Sequence, residues 1–217
     1  YILREMTAPE GSFYSAQDAD SDGEEGKYYL FVPEEIKNLL GSQEGEVFCR
    51  HFDITEEGNF EGKNIPNLLK SNYEKMYRDE VLERVLQYRR ERNFLHLDDK
   101  ILTAWNGLMI AAMCRLYQDS GKQMYLDAAV KADGFIQTNL CDKTGLYVSY
   151  RDGKRGVKGF LDDYAAYLFA QLALYSATLE ENYLTRAEQL CREGIGEADF
   201  LRMKRSAFGR RIRDLDS

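Results

Sequence analysis

His96-Leu97-Asp98-Asp99-Lys100-Ile101-Leu102-Thr103-Ala104-Trp105-Asn106-Gly107-Leu108 sets two adjacent carboxylates ahead of a long apolar run. The only Trp of the chain follows, with an amide beside it. A related stretch comes later, Gly159-Phe160-Leu161-Asp162-Asp163-Tyr164. Each Leu-Asp-Asp triplet is expected to open a helix rich in Ala and Leu, and the two helix starts are expected to face one shared cleft. Ile101 to Tyr117 is apolar almost all round, the pattern of a helix buried on most sides. Tyr164 to Thr178 repeats that character. Each is followed by an amphipathic helix, over 124 to 140 and over 183 to 193.

An internal repeat accounts for the alternation. Tyr117, Tyr125 and Ala129 match Tyr175, Tyr183 and Ala187 at a constant offset of 58. Each unit reads as an inner apolar helix followed by an outer amphipathic one. A constant period of this length predicts stacked helical hairpins, because one hairpin cannot bury its apolar helix alone. The Leu-Asp-Asp triplets stand 64 apart rather than 58, so the inner helices are expected to differ in length at their starts.

Upstream, Tyr1 to Met6 reads as the end of a helix, and Ser12-Phe13-Tyr14-Ser15 as a short extended stretch. Asp18, Asp20 and Asp22 alternate before Gly23 like the start of a calcium loop. The twelfth position, where a bidentate Glu belongs, is Tyr29. A turn held by Asx side chains is the preferred reading. Lys27 to Val32 alternates as a strand, Pro33 opens a short helix that stops at Gly41, and 42 to 60 is mixed. Tyr73 to Arg92 is a long charged helix with Val81, Val85 and Tyr88 on one face. Leu146 to Tyr150 is strand-like, with a turn at Asp152-Gly153.

The chain has 217 residues, 44% hydrophobic and 30% charged, and a net charge of -8. That balance fits a soluble globular protein and argues against nucleic acid, which asks for a basic face. No apolar run is long enough to span a membrane and no signal peptide is visible, so a cytoplasmic location is expected. The chain opens with Tyr1 rather than Met, which reads as a missing N-terminus. The cysteines Cys49, Cys114, Cys141 and Cys191 lack metal or redox spacing, and with only two histidines no metal and no cofactor are expected.

Several motifs resemble one family in its order: Phe13-Tyr14-Ser15-Ala16-Gln17-Asp18-Ala19-Asp20-Ser21, Gly26-Lys27-Tyr28-Tyr29, Gly58-Asn59-Phe60-Glu61-Gly62-Lys63-Asn64, and both aspartate stretches with Trp105-Asn106-Gly107-Leu108. The family is that of spermatogenesis-associated protein 20 / YyaL, described as thioredoxin domain-containing proteins, and the resemblance covers roughly residues 1 to 193. It implies a mainly α fold, a partial α/α barrel of the six-hairpin glycosidase-like kind, with short β stretches in the inter-hairpin loops. It also implies a thioredoxin-like domain upstream, absent from this chain. The barrel is similar to those of glycoside hydrolases and N-acylglucosamine 2-epimerases. Residues 194–217 depart from the family as an atypical basic tail, the mark of a truncated or frame-altered chain.

In related sugar enzymes, carboxylates at the mouths of inner helices act as general acid and base, about 6.5–9.5 Å apart in inverting hydrolases. Asp98 and Asp163 are the candidates, with Asp99 and Asp162 open as alternatives within each pair. Trp105 is placed to stack on a sugar face. Asn106, Tyr164 and His96 are assigned to hydroxyls, and Asp18 and Asp20 of the acidic loop are counted with the substrate-binding set. The expected ligand is a small carbohydrate, and the activity glycosidase- or epimerase-like. The competing reading is a non-catalytic helical scaffold, since Asp at a helix start is also a good N-cap. Open hairpin flanks predict self-association.

Overall fold

The computed structural model describes residues 1–71 and 77–196. It is mainly helical with short strands. The chain divides into two compact units, Tyr1–Ala16 together with Asp98–Ser217, and Gln17–Leu97. The basic tail expected from Gly194 falls, from residue 197 on, outside the described residues.

The discontinuous unit begins with a single helical turn, α1 (Ile2–Glu5), and leaves through β1 (Ala16–Gln17). Between them Phe13 is buried and bridged to Thr7.

The continuous unit starts with a tight hairpin, β2 (Asp20–Ser21) paired antiparallel with β3 (Glu24–Glu25). Its turn uses Asp22 and Gly23 at positive φ, 52° and 79°. The strand expected at Lys27 to Val32 is instead a 3-10 turn over Lys27–Tyr29. The physical reason is Arg92. Its guanidinium donates to the carbonyls of Lys27, Tyr28 and Leu30 at 3.2, 3.2 and 2.8 Å, so these groups need no neighbouring strand. Next come α2 (Pro33–Leu40) and α3 (Ser42–His51). Proline heads α2, and the Val32 N–H donates to Glu35 Oε2 at 3.1 Å. Helix α3 was not foreseen in the mixed stretch after Gly41. It crosses α2 closely at Gly45, where a Cβ would lie 2.6 Å from Lys37 Cα. The charged helix is α4 (Asp79–Arg92), and the part of its expected range at 73–76 lies outside the described residues. Phe31, Ile36, Phe48, Val81 and Val85 fill the core of this unit.

The chain returns through β4 (Leu97–Asp98) and β5 (Ile101–Leu102) into α5 (Thr103–Ser120) and α6 (Gln123–Phe135). A π-helical turn over Ile136–Leu140 follows, then the hairpins β6 (Cys141–Asp142)/β7 (Gly145–Leu146) and β8 (Ser149–Arg151)/β9 (Lys154–Arg155). Strand β5 pairs antiparallel with β8, Ile101 opposite Tyr150. Helices α7 (Leu161–Thr178) and α8 (Glu181–Ile195) complete the described part.

Helices α5 and α7 both have 18 residues and begin 58 apart, and α6 and α8 also begin 58 apart. The repeat therefore holds along whole hairpins, and the expected difference in inner-helix length is corrected. Even the C-terminal stops correspond. Gly121 and Leu179, again 58 apart, both adopt the left-handed conformation that ends a helix. Gly107 lets α5 approach α7, since a Cβ there would meet the Ala166 backbone at 2.7 Å. Ile110, Cys114, Ala132, Leu146, Tyr167 and Leu174 make the shared core. Each large apolar side chain buried this way is worth about 1.5–3 kcal/mol.

Candidate functional site

The two Leu-Asp-Asp triplets occupy different structures. Leu161-Asp162-Asp163 forms the first turn of α7, whereas Leu97 and Asp98 form β4 and Asp99 lies in the irregular link to β5. The expectation that both open a helix is corrected for the first. In the 58-residue register the partner of Asp163 is Trp105, not Asp98 or Asp99.

Asp163 is 3% exposed. Its Oδ2 accepts the Phe160 N–H at 3.0 Å, and its Oδ1 accepts the Ala104 N–H at 3.2 Å. One carboxylate thus satisfies orphan donors at the starts of two helices. Burial pushes this carboxyl above the usual range, against the pull of those two N–H groups and with the help of neighbouring Asp162. Asp162 itself is exposed.

Asp98 is half-buried. Its Oδ1 accepts the Lys100 N–H at 3.3 Å and its Oδ2 meets the Lys100 ammonium at 3.3 Å. Partial burial pushes its carboxyl up, but the bonds from Lys100 and Ser15 outweigh that and leave it below the usual range. Asp99 takes a third course, with its Oδ1 2.7 Å from Arg151 Nε.

Asp99 and Arg151 belong to a cleft of about 290 Å³ within the discontinuous unit, lined also by Glu10, Tyr14 and Tyr150 over Ile101 and Phe135. Residue order explains its walls. The β5–β8 pairing puts Tyr150 opposite Ile101, and Tyr150 stands edge-on to Phe135 with ring centroids 5.3 Å apart. Burial, then the negative charges of Glu10 and Asp99, push the Tyr14 hydroxyl up. Tyr14 is protonated at neutral pH and offers a donor in the cleft that Glu10 and Asp99 also line. The cleft combines acceptors, a guanidinium, phenols and an apolar floor, which is the chemistry that holds a small polar ligand.

Other expected residues are structural or lie apart. Asn106 is buried, accepting the Phe13 N–H at 2.7 Å and donating to the Phe13 carbonyl at 2.9 Å. The Tyr164 hydroxyl accepts the Leu146 N–H at 3.0 Å. Trp105 is 55% exposed on the outside of α5. His96, Asp18 and Asp20 belong to the continuous unit, where His96 is exposed. Asp18 closes an Asx turn, its Oδ1 accepting the Asp20 N–H at 3.1 Å. No group of three or more His, Cys, Asp or Glu among the described residues is placed to hold a metal ion.

Sequence reasoning missed Glu10, which lies in a loop, and Tyr150 and Arg151, which lie on the short strand β8 where no charge or spacing marks a lining residue. It also missed a buried network. Asp133 of α6 is 2% exposed and accepts from Tyr167 Oη at 2.7 Å, Gln171 Nε2 at 2.5 Å and Gln137 Nε2 at 2.7 Å. An aspartate one position after Ala132 and three before Ile136, on an apolar helix face, was the signal that could have found it.

No protein-family model matches the chain. The chain is similar to uncharacterized protein B0495.5 of Caenorhabditis elegans, 30% identical over 87% of the chain. It is also similar to spermatogenesis-associated protein 20 of Mus musculus, 29% identical over 88% of the chain, and of Homo sapiens, 28% over 88%. The chain spans about a third of the length of these relatives, 32%, 30% and 30% respectively.

Proposed function

We propose, from the chain's similarity to spermatogenesis-associated protein 20, that its discontinuous unit binds a small, hydroxyl-rich ligand of the carbohydrate class in the cleft at Asp99. The observation that carries the reading is the cleft itself, with Asp99 fixed by Arg151 and two tyrosines over an apolar floor. Asp99 accepts from ligand hydroxyls, Arg151 orients it, Tyr14 donates, and Tyr150 offers a ring edge or face to the sugar. A glycosidase- or epimerase-like step would draw on Asp99 and Glu10 rather than on Asp163, both of whose oxygens are already engaged. The two equivalent hairpins support a place within a larger six-hairpin α/α barrel, with a thioredoxin-like domain elsewhere in the full-length cytoplasmic protein.

Asp163 favours a second reading, a non-catalytic helical scaffold, because its capping bonds give that aspartate a complete structural role.

Thermal melting by circular dichroism, with and without a panel of simple sugars and aminosugars, separates the two. A ligand that binds only the native state at about a hundred times its Kd stabilises it by about 2.7 kcal/mol. That amounts to a midpoint shift of about 2–4 °C per kcal/mol for a chain of this size. The expected result is a shift with one sugar in the wild-type chain and its loss in Asp99→Asn. A panel without any shift, or an equal shift in the variant, would sink the cleft and leave the scaffold.

A further inference from the structure

A second cavity of the discontinuous unit, of about 280 Å³, shares no lining residue with the cleft at Asp99. It is lined by Gln137 of the π-helical turn, Gln171 of α7 and Arg186 of α8, with exposed Asn182 and Thr185 among the remaining residues. Its walls are three consecutive segments of this chain, so the cavity does not depend on hairpins beyond α8. A π-helical turn in its wall is itself a feature frequent at functional sites.

Asp133 decides which way the two amides face. It accepts from Gln171 Nε2 and from Gln137 Nε2. A carboxylate offers no donor, so both amide nitrogens turn towards it and both amide oxygens point elsewhere. Gln171 is fully buried, and its Oε1 has no partner. Leaving a buried acceptor unpaired costs stability. The 58-residue register shows that the hairpin does not require it. Gln171 corresponds to Met113, Tyr167 to Met109 and Arg186 to Ala128. Met113 is 3% exposed, so the first hairpin fills the same buried place with an apolar side chain. Polar groups set where the repeat manages without them, at a cost, mark a site rather than a packing need.

Arg186 brings the charge. Its Nη1 donates to Gln189 Oε1 at 3.0 Å, its guanidinium meets the Cys141 thiol, and its Nε has no partner. No carboxylate among the described residues lies within ion-pair distance of it, and Glu193 acts on it only from further off. We propose that this cavity binds a short carboxylic acid that carries a hydrogen-bond donor, a hydroxyl or an ammonium, beside its carboxylate. The carboxylate pairs with Arg186, whose planar fork suits that group and stays charged at neutral pH. The neighbouring donor reaches the amide oxygen of Gln171. The cavity is smaller than the usual ligand pocket of about 300–1,000 Å³, which fits a molecule of a few heavy atoms.

Isothermal titration of the 217-residue chain with lactate, alanine, propionate and lactamide tests this. Lactate joins a hydroxyl to the carboxylate and alanine an ammonium, whereas propionate lacks the donor and lactamide the charge. Lactate or alanine is expected to bind at least about tenfold more tightly than propionate and lactamide, and the one that does names the donor. Arg186→Gln should abolish that binding and Arg186→Lys should recover part of it. Gln171→Met, which copies the equivalent position 113, should reduce the preferred acid to the level of propionate. Binding of none of the four, equal binding of propionate or lactamide, undiminished binding by Arg186→Gln, or a preference that survives Gln171→Met overturns the proposal. Circular dichroism checks that each variant folds. Should Gln171→Met fail to fold, the four probes on the wild-type chain and the two Arg186 variants still decide.

Discussion

Leu97-Asp98-Asp99 and Leu161-Asp162-Asp163 are one tripeptide in two settings. In the second, the last aspartate is sealed at the junction of α5 and α7 and serves backbone donors of both. In the first, the two aspartates stay at the surface, one turned to Lys100 and the other to Arg151. The difference teaches that a short motif does not carry its own register. The helices align at 58 residues and the triplets at 64, so the structure superposes Asp163 on Trp105 and leaves Asp98 and Asp99 outside the repeat.

The sharpest way to break this comparison is to truncate both carboxylates. Asp163→Ala strands two helix-terminal N–H groups in a buried place and should cost about 3 kcal/mol. Asp98→Ala removes a surface pairing and should cost no more than about 0.5 kcal/mol. Urea unfolding midpoints measure both, and similar losses would mean that the two aspartates are not differently employed.

A smaller effect tests the repeat one turn further on. Gly107→Ala drives a methyl into the Ala166 backbone and should destabilise by about 1–3 kcal/mol despite the better helix propensity of alanine. Ala165→Gly, at the equivalent exposed position of α7, should lose only about 1 kcal/mol. Stabilisation by Gly107→Ala in the same urea assay would show that the close approach is relaxed in solution.

The helix stops give a smaller contrast of opposite sign. Leu179 holds φ 61° where Gly121 holds 67°. A leucine in that region is strained and a glycine is not. Leu179→Gly should stabilise by about 0.5–1 kcal/mol, and Gly121→Ala should destabilise by about the same. A thermal melt in which both substitutions move the midpoint the same way would contradict the equivalence.

The pH dependence separates the aspartates without truncation. Asp163 has a raised carboxyl, so its stabilising contribution is complete below the ordinary carboxylate pKa and is lost as pH rises through the folded-state value. Asp98 has a lowered one, so its contribution is present above the ordinary value and is lost as pH falls through the folded-state value. From neutral pH down to about pH 3, the wild-type chain should gain stability relative to Asp163→Asn and lose it relative to Asp98→Asn. Denaturant titrations along that series check the signs, and parallel curves would refute the assignment.

The helical hairpins were legible because apolar periodicity and a constant offset both depend on burial, which the residues report directly. The ends were less legible. Ile101 and Leu102 look like helix by composition but pair with Tyr150 and Ser149 of β8, 49 and 47 residues away, and a partner so distant leaves no trace in the local pattern. The turn at Lys27–Tyr29 was misread for a related reason: the group that satisfies its carbonyls is Arg92, more than 60 residues later. In the site, Asp99 was named because it carries charge beside a motif. Glu10 reaches the same cleft from a loop and Arg151 from the end of the three-residue strand β8, where nothing in spacing distinguishes a lining residue from a solvated one.

The amide of Asn106 takes both the N–H and the carbonyl of Phe13, as one more peptide group of a strand would, yet it projects from a helix. Residues 1–16 are joined covalently to the rest of their unit only by way of the whole of Gln17–Leu97. Connectivity therefore contributes little to keeping that peptide in place, and a side chain does the fastening. A chain nicked by protease within Gln17–Leu97 should still migrate as one particle on a native gel and fall into two pieces in denaturant. The same nick in Asn106→Ala should part at a lower denaturant concentration, because the core between α2 and α4 still joins the pieces, and an unchanged midpoint would show that other contacts suffice.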